Sequence, residues 1–311
     1  MTLSFLIFDR QHRLRAGWRL LIFTCCFLLF FSILAALAWL LSYAALGRSP
    51  AAVENLFESS WSFVIQGLLL ITAATITGWG CNRFLEHLPR RALGWARHRH
   101  WERDLLYGSF VGGGSMLLAV GIAAAGGGLR FEVAASDVMP YVLRTLVGSG
   151  AVFILAAAAE EALFRGYPLQ TLLRSWPAWA AALPSSLAFA YVHLGNPNIA
   201  RGWTLVNTAL AGVWLAVAYI KTRSLWFPLG AHWAWNWMMG AVLGLPVSGI
   251  TALTPQPVWR RKRRARMADR RTLRHRRRRR LRVGARHLND IHHAYASGLR
   301  DRRNENLHGG G

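Results

Sequence analysis

Apolar stretches of about 20 residues recur along the first 250 positions of this 311-residue chain. Each is long enough to cross a hydrocarbon core of ~30 Å as a helix. Only 16% of the residues are charged and 53% are hydrophobic, so these stretches lack the polar face a helix needs to lie on a soluble core. In lipid every backbone polar group must find its partner inside the protein, which leaves helices for such segments. The sequence therefore predicts an all-α fold, a polytopic membrane helix bundle with seven spans at about 17–46, 61–82, 105–127, 141–163, 177–194, 203–220 and 226–248.

The first span follows a leader bearing Arg10, Arg13, Arg15 and Arg19 and has no Ala-x-Ala cleavage site. It reads as an anchor and not as a removed signal peptide. Lys and Arg then crowd every second loop: Arg83 to Arg103 after span two, Arg165 and Arg174 after span four, Lys221 and Arg223 after span six. Basic loops stay on the cytoplasmic side, so the expectation is a multi-pass protein of the cell membrane with its N-terminus in the cytoplasm. Four segments follow: a basic leader over 1–16, N-terminal spans over 17–139, a polar-motif region over 140–250, and a tail over 251–311.

Cys25, Cys26 and Cys81 lie in or beside apolar segments and offer neither a disulfide framework nor a metal-binding spacing. The glycines Gly112-Gly113-Gly114 and Gly126-Gly127-Gly128 suggest close helix packing. No strand precedes them and no lysine follows, so they are not a phosphate loop.

Three spans in the second half carry polar motifs. Span four ends in Glu160-Glu161-x-x-x-Arg165. Glu161 and Arg165 are spaced i,i+4 and can pair on one helix face, whereas Glu160 points about 100° away and is left without that partner. This spacing suggests a structural Glu161 and a chemically free Glu160. Span five carries Phe189-x-x-x-His193, and span seven His232-x-x-x-Asn236. Taken singly, His193 could be an interfacial residue, and His232 with Asn236 a hydrogen-bonding pair between helices. Together they gather two Glu, two His and an Asn in three helices of one half of the chain, and ionisable groups inside a membrane mark functional sites. A carboxylate that takes a proton from water, with imidazoles that bind a metal or hold water and oxyanion, is what hydrolysis requires.

At these residues the chain resembles the CPBP family of intramembrane proteases, which includes the type II CAAX prenyl endopeptidases. The family pattern is Glu-Glu-x-x-x-Arg, Phe-x-x-x-His and His-x-x-x-Asn/Asp in that order, and all three stand complete here. The segment Arg15-Ala16-Gly17-Trp18-Arg19 also resembles bacterial members. The resemblance implies eight helices and hydrolysis of a peptide bond within the membrane, on a peptide or protein substrate that reaches the site there. It implies that Glu160 activates water, that His193 positions it, and that His232 with Asn236 stabilises the oxyanion or contributes to a metal site. Glu160, His193 and His232 could hold Zn²⁺ or another divalent metal with one position open. His-Glu-x-x-His is absent, so this is not a zincin. The alternatives are a non-catalytic scaffold or bacteriocin self-immunity protein of the same fold, and a proton-coupled transporter. Polar residues confined to one half argue against the transporter, which would show matching halves.

For Glu160 to meet His193, span four must continue toward Arg174, with an interruption near Gly166-Tyr167-Pro168. The tail over 255–311 holds 19 of the 37 Lys and Arg residues, with an unbroken run from Arg276 to Arg280. It is expected to be disordered. Anionic lipid and nucleic acid are its conceivable partners, the latter disfavoured. A basic tail beyond an odd number of spans contradicts the positive-inside tendency, which points to a frameshift in a GC-rich gene.

Overall fold

The computed structural model describes residues 4–9, 12–129, 131–133, 139–196, 201–248 and 259–261. The chain divides into two units, Met1–Lys262 and Arg263–Gly311. All described residues belong to the first unit, and the expectations for the tail, Arg276 to Arg280 included, lie outside them.

The described residues are overwhelmingly helical. After a single turn, α1 (Ser4–Ile7), come α2 (Ala16–Ala45), α3 (Pro50–Glu58), α4 (Trp61–Leu85), α5 (Trp101–Ala125), α6 (Met139–Glu161), α7 (Tyr167–Leu173), α8 (Ala178–Val192), α9 (Arg201–Thr222) and α10 (Trp226–Trp237). The β structure among them is one antiparallel pairing of β1 (Phe131–Val133) with β2 (Trp259–Arg261) and a bridge between Phe8 and Leu14. Helix α3 falls where the sequence reading placed a loop. Ser49 caps it by accepting from the Ala52 N–H at 3.3 Å, and Pro50 opens it; the pair is a recognisable start signal.

Among the described residues, five helical segments are long and apolar enough to cross a membrane: Ala16–Ala45, Trp61–Leu85, Trp101–Ala125, Leu146–Leu173 and Gly202–Thr222. They turn large apolar side chains outward, among them Leu41, Phe110, Leu118 and Ile122, a surface that lipid and not water would cover. The other two expected spans are shorter. Helix α8 has 15 residues, and α10 has 12 before a π-helical turn over Met238–Val242. A 12-residue helix reaches only about 18 Å. These short helices carry the His motifs, and their inner faces are buried in protein, where interrupted helices are tolerated at membrane depth.

The fourth segment is continuous from Leu146 to Leu173, as the sequence required, and is wound as a π-helix over Ala162–Gly166. Pro168 has no N–H to give the carbonyl four residues back. That carbonyl, of Phe164, accepts instead from the Ser185 hydroxyl of α8 at 3.1 Å, and the Arg165 carbonyl accepts from Gln170 Nε2 at 3.4 Å. Side chains thus satisfy the backbone groups that the distortion releases. Helix α7 then joins two cores: Tyr167 packs with Phe23, Phe27, Ala74 and Leu93, while Leu169 and Leu172 pack with Ala181, Ala216 and Leu225.

Helices α5 and α10 make the closest crossing. A Cβ at Gly108 would collide with the Phe227 carbonyl, one at Gly112 with that of Ala231, and one at Gly230 with that of Leu105. The packing expected of the glycines is therefore real at Gly112 and weaker at Gly113. Gly114 faces open space, and the 126–128 cluster ends the helix, with Gly127 at φ +71. Two indole N–H groups fix α10 to α6: Trp233 Nε1 donates to the Gly150 carbonyl and Trp237 Nε1 to that of Leu146, both at 3.0 Å.

At the end of the bundle where α2 begins, an ion cluster with a buried Arg19 and an exposed Arg174 ties three helices. Glu86, just past α4, pairs with Arg19 of α2 at 3.2 Å and with Arg174, just past α7, and accepts from Thr171 at 2.7 Å. Arg19 also donates to Ser175 Oγ at 3.0 Å. Burial pushes the Glu86 carboxyl up, but hydrogen bonds from Arg174 and Thr171 and the charges of Arg174 and Arg19 outweigh it and hold it below its ordinary value.

Candidate active site

Glu160 and Glu161 end α6, Arg165 lies in the π-helical turn, His193 follows the last residue of α8, and His232 and Asn236 sit one turn apart on α10. The fold brings Glu160, Glu161, Arg165, His193 and His232 into one cluster. Asn236 joins His193, His232 and Phe189 in the wall of an adjoining cavity of about 780 Å³.

The two glutamates are held differently. Glu161 and Arg165 are both fully buried, with Arg165 Nη1 donating to Glu161 Oε1 at 3.0 Å. This is the i,i+4 pairing that the spacing predicted. The Arg165 guanidinium also donates to the Gly212 carbonyl of α9 at 3.3 Å and lies over the Phe189 ring at 4.3 Å. Helices α8 and α9 come close enough for this because Gly212 has no side chain; a Cβ there would meet Ser186 at 2.9 Å. Glu160 makes no bond to Arg165 among the described residues, and its Oε2 is buried without a hydrogen-bond partner. That atom lies 3.6 Å from His232 Nε2 and 3.8 Å from His193 Nε2.

The partners of the other ring nitrogens settle both tautomers. His193 Nδ1 is 2.7 Å from the Phe189 carbonyl, which can only accept, so Nδ1 carries a proton. His232 Nδ1 is 2.8 Å from Glu161 Oε1, an oxygen that also accepts from Arg165 Nη1, so Nδ1 donates there too. In each neutral ring Nε2 is left as a lone pair facing Glu160. Two acceptors turned toward a third acceptor repel unless a donor or cation stands between them. The cluster is shaped for such a group.

A divalent metal is one such group. An imidazole whose Nδ1–H is held by a carboxylate or carbonyl is the usual form of a metal ligand, and Glu160, His193 and His232 supply one oxygen and two nitrogens. Ligands at zinc bond lengths around a tetrahedron stand about 3.3 Å apart, so the two Glu160–His distances are a few tenths of an ångström wide. No set of three His, Cys, Asp or Glu side chains among the described residues is gathered tightly enough to hold a metal ion as it stands. The donor chemistry suits a metal, and both Glu160–His distances would have to shorten to hold one.

The motifs gave no sign of the cavity's other walls: Thr204, Asn207, Thr208 and Trp214 of α9 and Trp235 of α10. The signal was there, since Thr204, Asn207 and Thr208 fall at i, i+3 and i+4 in an apolar span, a face unsuited to lipid. The Arg19–Glu86–Arg174 cluster was also missed, because nothing in sequence links positions so far apart.

The apolar helical bundle encloses a Glu–His cluster of the composition that hydrolysis requires. Residues 142–238, about a third of the chain, match the family model described as type II CAAX prenyl endopeptidase Rce1-like. The match spans all seven motif residues from Glu160 to Asn236, Phe189 included, and this segment carries a domain of the CPBP type, a family of intramembrane proteases. No curated protein and no solved structure matches the chain significantly.

Proposed function

We propose that this protein is an intramembrane endopeptidase in which Glu160 activates the hydrolytic water. The observation that supports it most is the isolation of Glu160 Oε2, buried and without a hydrogen bond between the Nε2 atoms of two imidazoles. A water there would donate one hydrogen to Glu160 and be oriented by His193 and His232. Attack on the peptide carbonyl transfers a water proton to Glu160 and forms a tetrahedral intermediate. Asn236, on the cavity wall one turn from His232, is an amide donor available to the oxyanion. Collapse breaks the C–N bond, and Glu160 returns its proton to the leaving amine.

Glu161 and Arg165 act through His232. They fix its tautomer and the direction of its Nε2, as second-layer carboxylates do for metal-bound histidines. A divalent metal such as Zn²⁺, if bound, would be held by Glu160, His193 and His232 and would supply Lewis-acid activation of water or carbonyl. The substrate is a peptide or protein segment that enters the cavity from the membrane, with cleavage at the cell membrane and the N-terminus in the cytoplasm.

Comparing peptide termini in membranes that express the wild type or Glu160→Gln tests this. New termini are expected only with the wild type, and intact substrates should co-purify with the variant. Identical sets of termini from two equally folded proteins would sink the protease reading in favour of a scaffold.

A further inference from the structure

A second cavity lies away from the catalytic cluster, on the outer face of α4. It measures about 550 Å³ and is lined by Thr75, Ile76 and Trp79 of α4, by Arg90 and Arg91 of the 3-10 turn Arg90–Leu93 in the connection that follows, and by Trp95 just after it. Its two cations are exposed, and neither makes an ion pair among the described residues. Thr75 apart, the other side chains of the wall are apolar or aromatic. The Arg90 guanidinium is held over the Trp79 ring at 4.5 Å, which orients it without neutralising it. The loop that carries both arginines is anchored: Leu93 is buried against the core, Gly94 turns the chain at φ +87, and the Gly94 carbonyl accepts from Leu225 at 3.0 Å.

The level of this cavity in the membrane is also marked. Trp95 packs edge-on to Trp226 at 5.4 Å, Trp226 lies against Trp101 at 4.5 Å, and Trp226 Nε1 donates to the Ala96 carbonyl at 3.2 Å. Clustered tryptophans with one polar end satisfied are typical of the headgroup level. Below them Ile76 continues the groove along a helix long and apolar enough to span. A free phosphate would use the two guanidinia and leave this apolar groove empty. A phospholipid uses both.

We propose that Arg90 and Arg91, with Trp79 and Trp95, form a binding site for the headgroup phosphate of an anionic phospholipid whose acyl chain lies along α4 past Ile76. Arg91 meets the phosphate and the stacked Arg90 closes on it from the side, while the indoles cover the glycerol region. Two cations against one phosphodiester leave a positive surplus, which favours a headgroup without its own ammonium. The site is independent of the reaction at Glu160.

Native mass spectrometry of the full chain in detergent, titrated with dioleoyl phosphatidylglycerol or dioleoyl phosphatidylcholine, tests the proposal. The wild type should retain phosphatidylglycerol about tenfold better than phosphatidylcholine. Arg90→Gln/Arg91→Gln should lose that preference, while the charge-matched Arg83→Gln/Arg99→Gln variant, whose arginines lie outside the cavity, should keep it. Equal loss in both variants would mean diffuse surface attraction and overturn the site, as would full retention in Arg90→Gln/Arg91→Gln. Displacement of the lipid by millimolar inorganic phosphate would reassign it to a free anion. Unchanged thermal unfolding of the variants guards against loss of fold as the cause.

Discussion

Glu161 and His232, 71 residues apart in sequence, are joined by a buried 2.8 Å hydrogen bond that leaves His232 Nε2 facing Glu160. The carboxylate takes this bond and the Arg165 pair on the same oxygen, so three residues on three elements set the direction of one lone pair. Replacing Glu161 by Gln removes the reason for the tautomer without emptying the space. Activity should fall at least tenfold while folding is retained, and the His232 ring ¹⁵N shifts should show mixed protonation. Wild-type shifts in Glu161→Gln would refute the assignment.

Arg165 is fully buried with Glu161. Arg165→Met would strand an uncompensated carboxylate and cost about 3–5 kcal/mol. Arg165→Lys should recover little, since an ammonium cannot reach Glu161 and the Gly212 carbonyl together while stacking on Phe189. Thermal unfolding in detergent measures both, and a rescue by Lys would contradict the fork geometry.

Helix α10 owes its position to missing side chains on α5. Gly112→Val should push Ala231 away and carry His232 off Glu161, with loss of both stability and turnover. Gly114→Ala, two residues on but facing open space, should be silent. Comparing the two variants in one assay separates the crossing from general helix propensity.

The Glu86 carboxyl is held below its ordinary value of 4.5. A group lowered by folding contributes stability that is complete above its unfolded value and is lost as pH falls through its folded one. Unfolding temperature should therefore drop on acidification below about pH 4.5, the ordinary value. Glu86→Gln should be less stable at neutral pH and flatter across this window. An unchanged acid slope in the variant would place the sensitivity elsewhere.

Phe164 keeps its carbonyl satisfied through Ser185 because Pro168 cannot serve it. Ser185→Ala should cost about 1–3 kcal/mol as a buried acceptor loses its donor, and the loss should be much smaller in a Pro168→Ala background. A double-mutant cycle by thermal unfolding reads this coupling.

Much of the molecule was legible as sequence. Apolar length alone gave the membrane bundle, since lipid admits little else for such segments. The i,i+4 spacing gave the Glu161–Arg165 pair, and the need for Glu160 to reach His193 gave the long fourth segment with its break at Gly166-Tyr167-Pro168. These are local or one-dimensional constraints, and a chain displays them directly. The sequence did not say that α8 and α10 would be short, that α3 would form, or that Glu86 would join Arg19 to Arg174.

Only the tertiary structure decided which nitrogen of each histidine is free. Tautomers follow from partners, the Phe189 carbonyl for His193 and the Glu161 carboxylate for His232, and the second partner comes from another helix. Helix α10, which carries His232, is placed in turn because Gly108, Gly112 and Gly230 let its backbone meet that of α5 where any side chain would hold them apart. Residue types set what chemistry the chain could support, and distances between remote helices set which atoms are left to perform it.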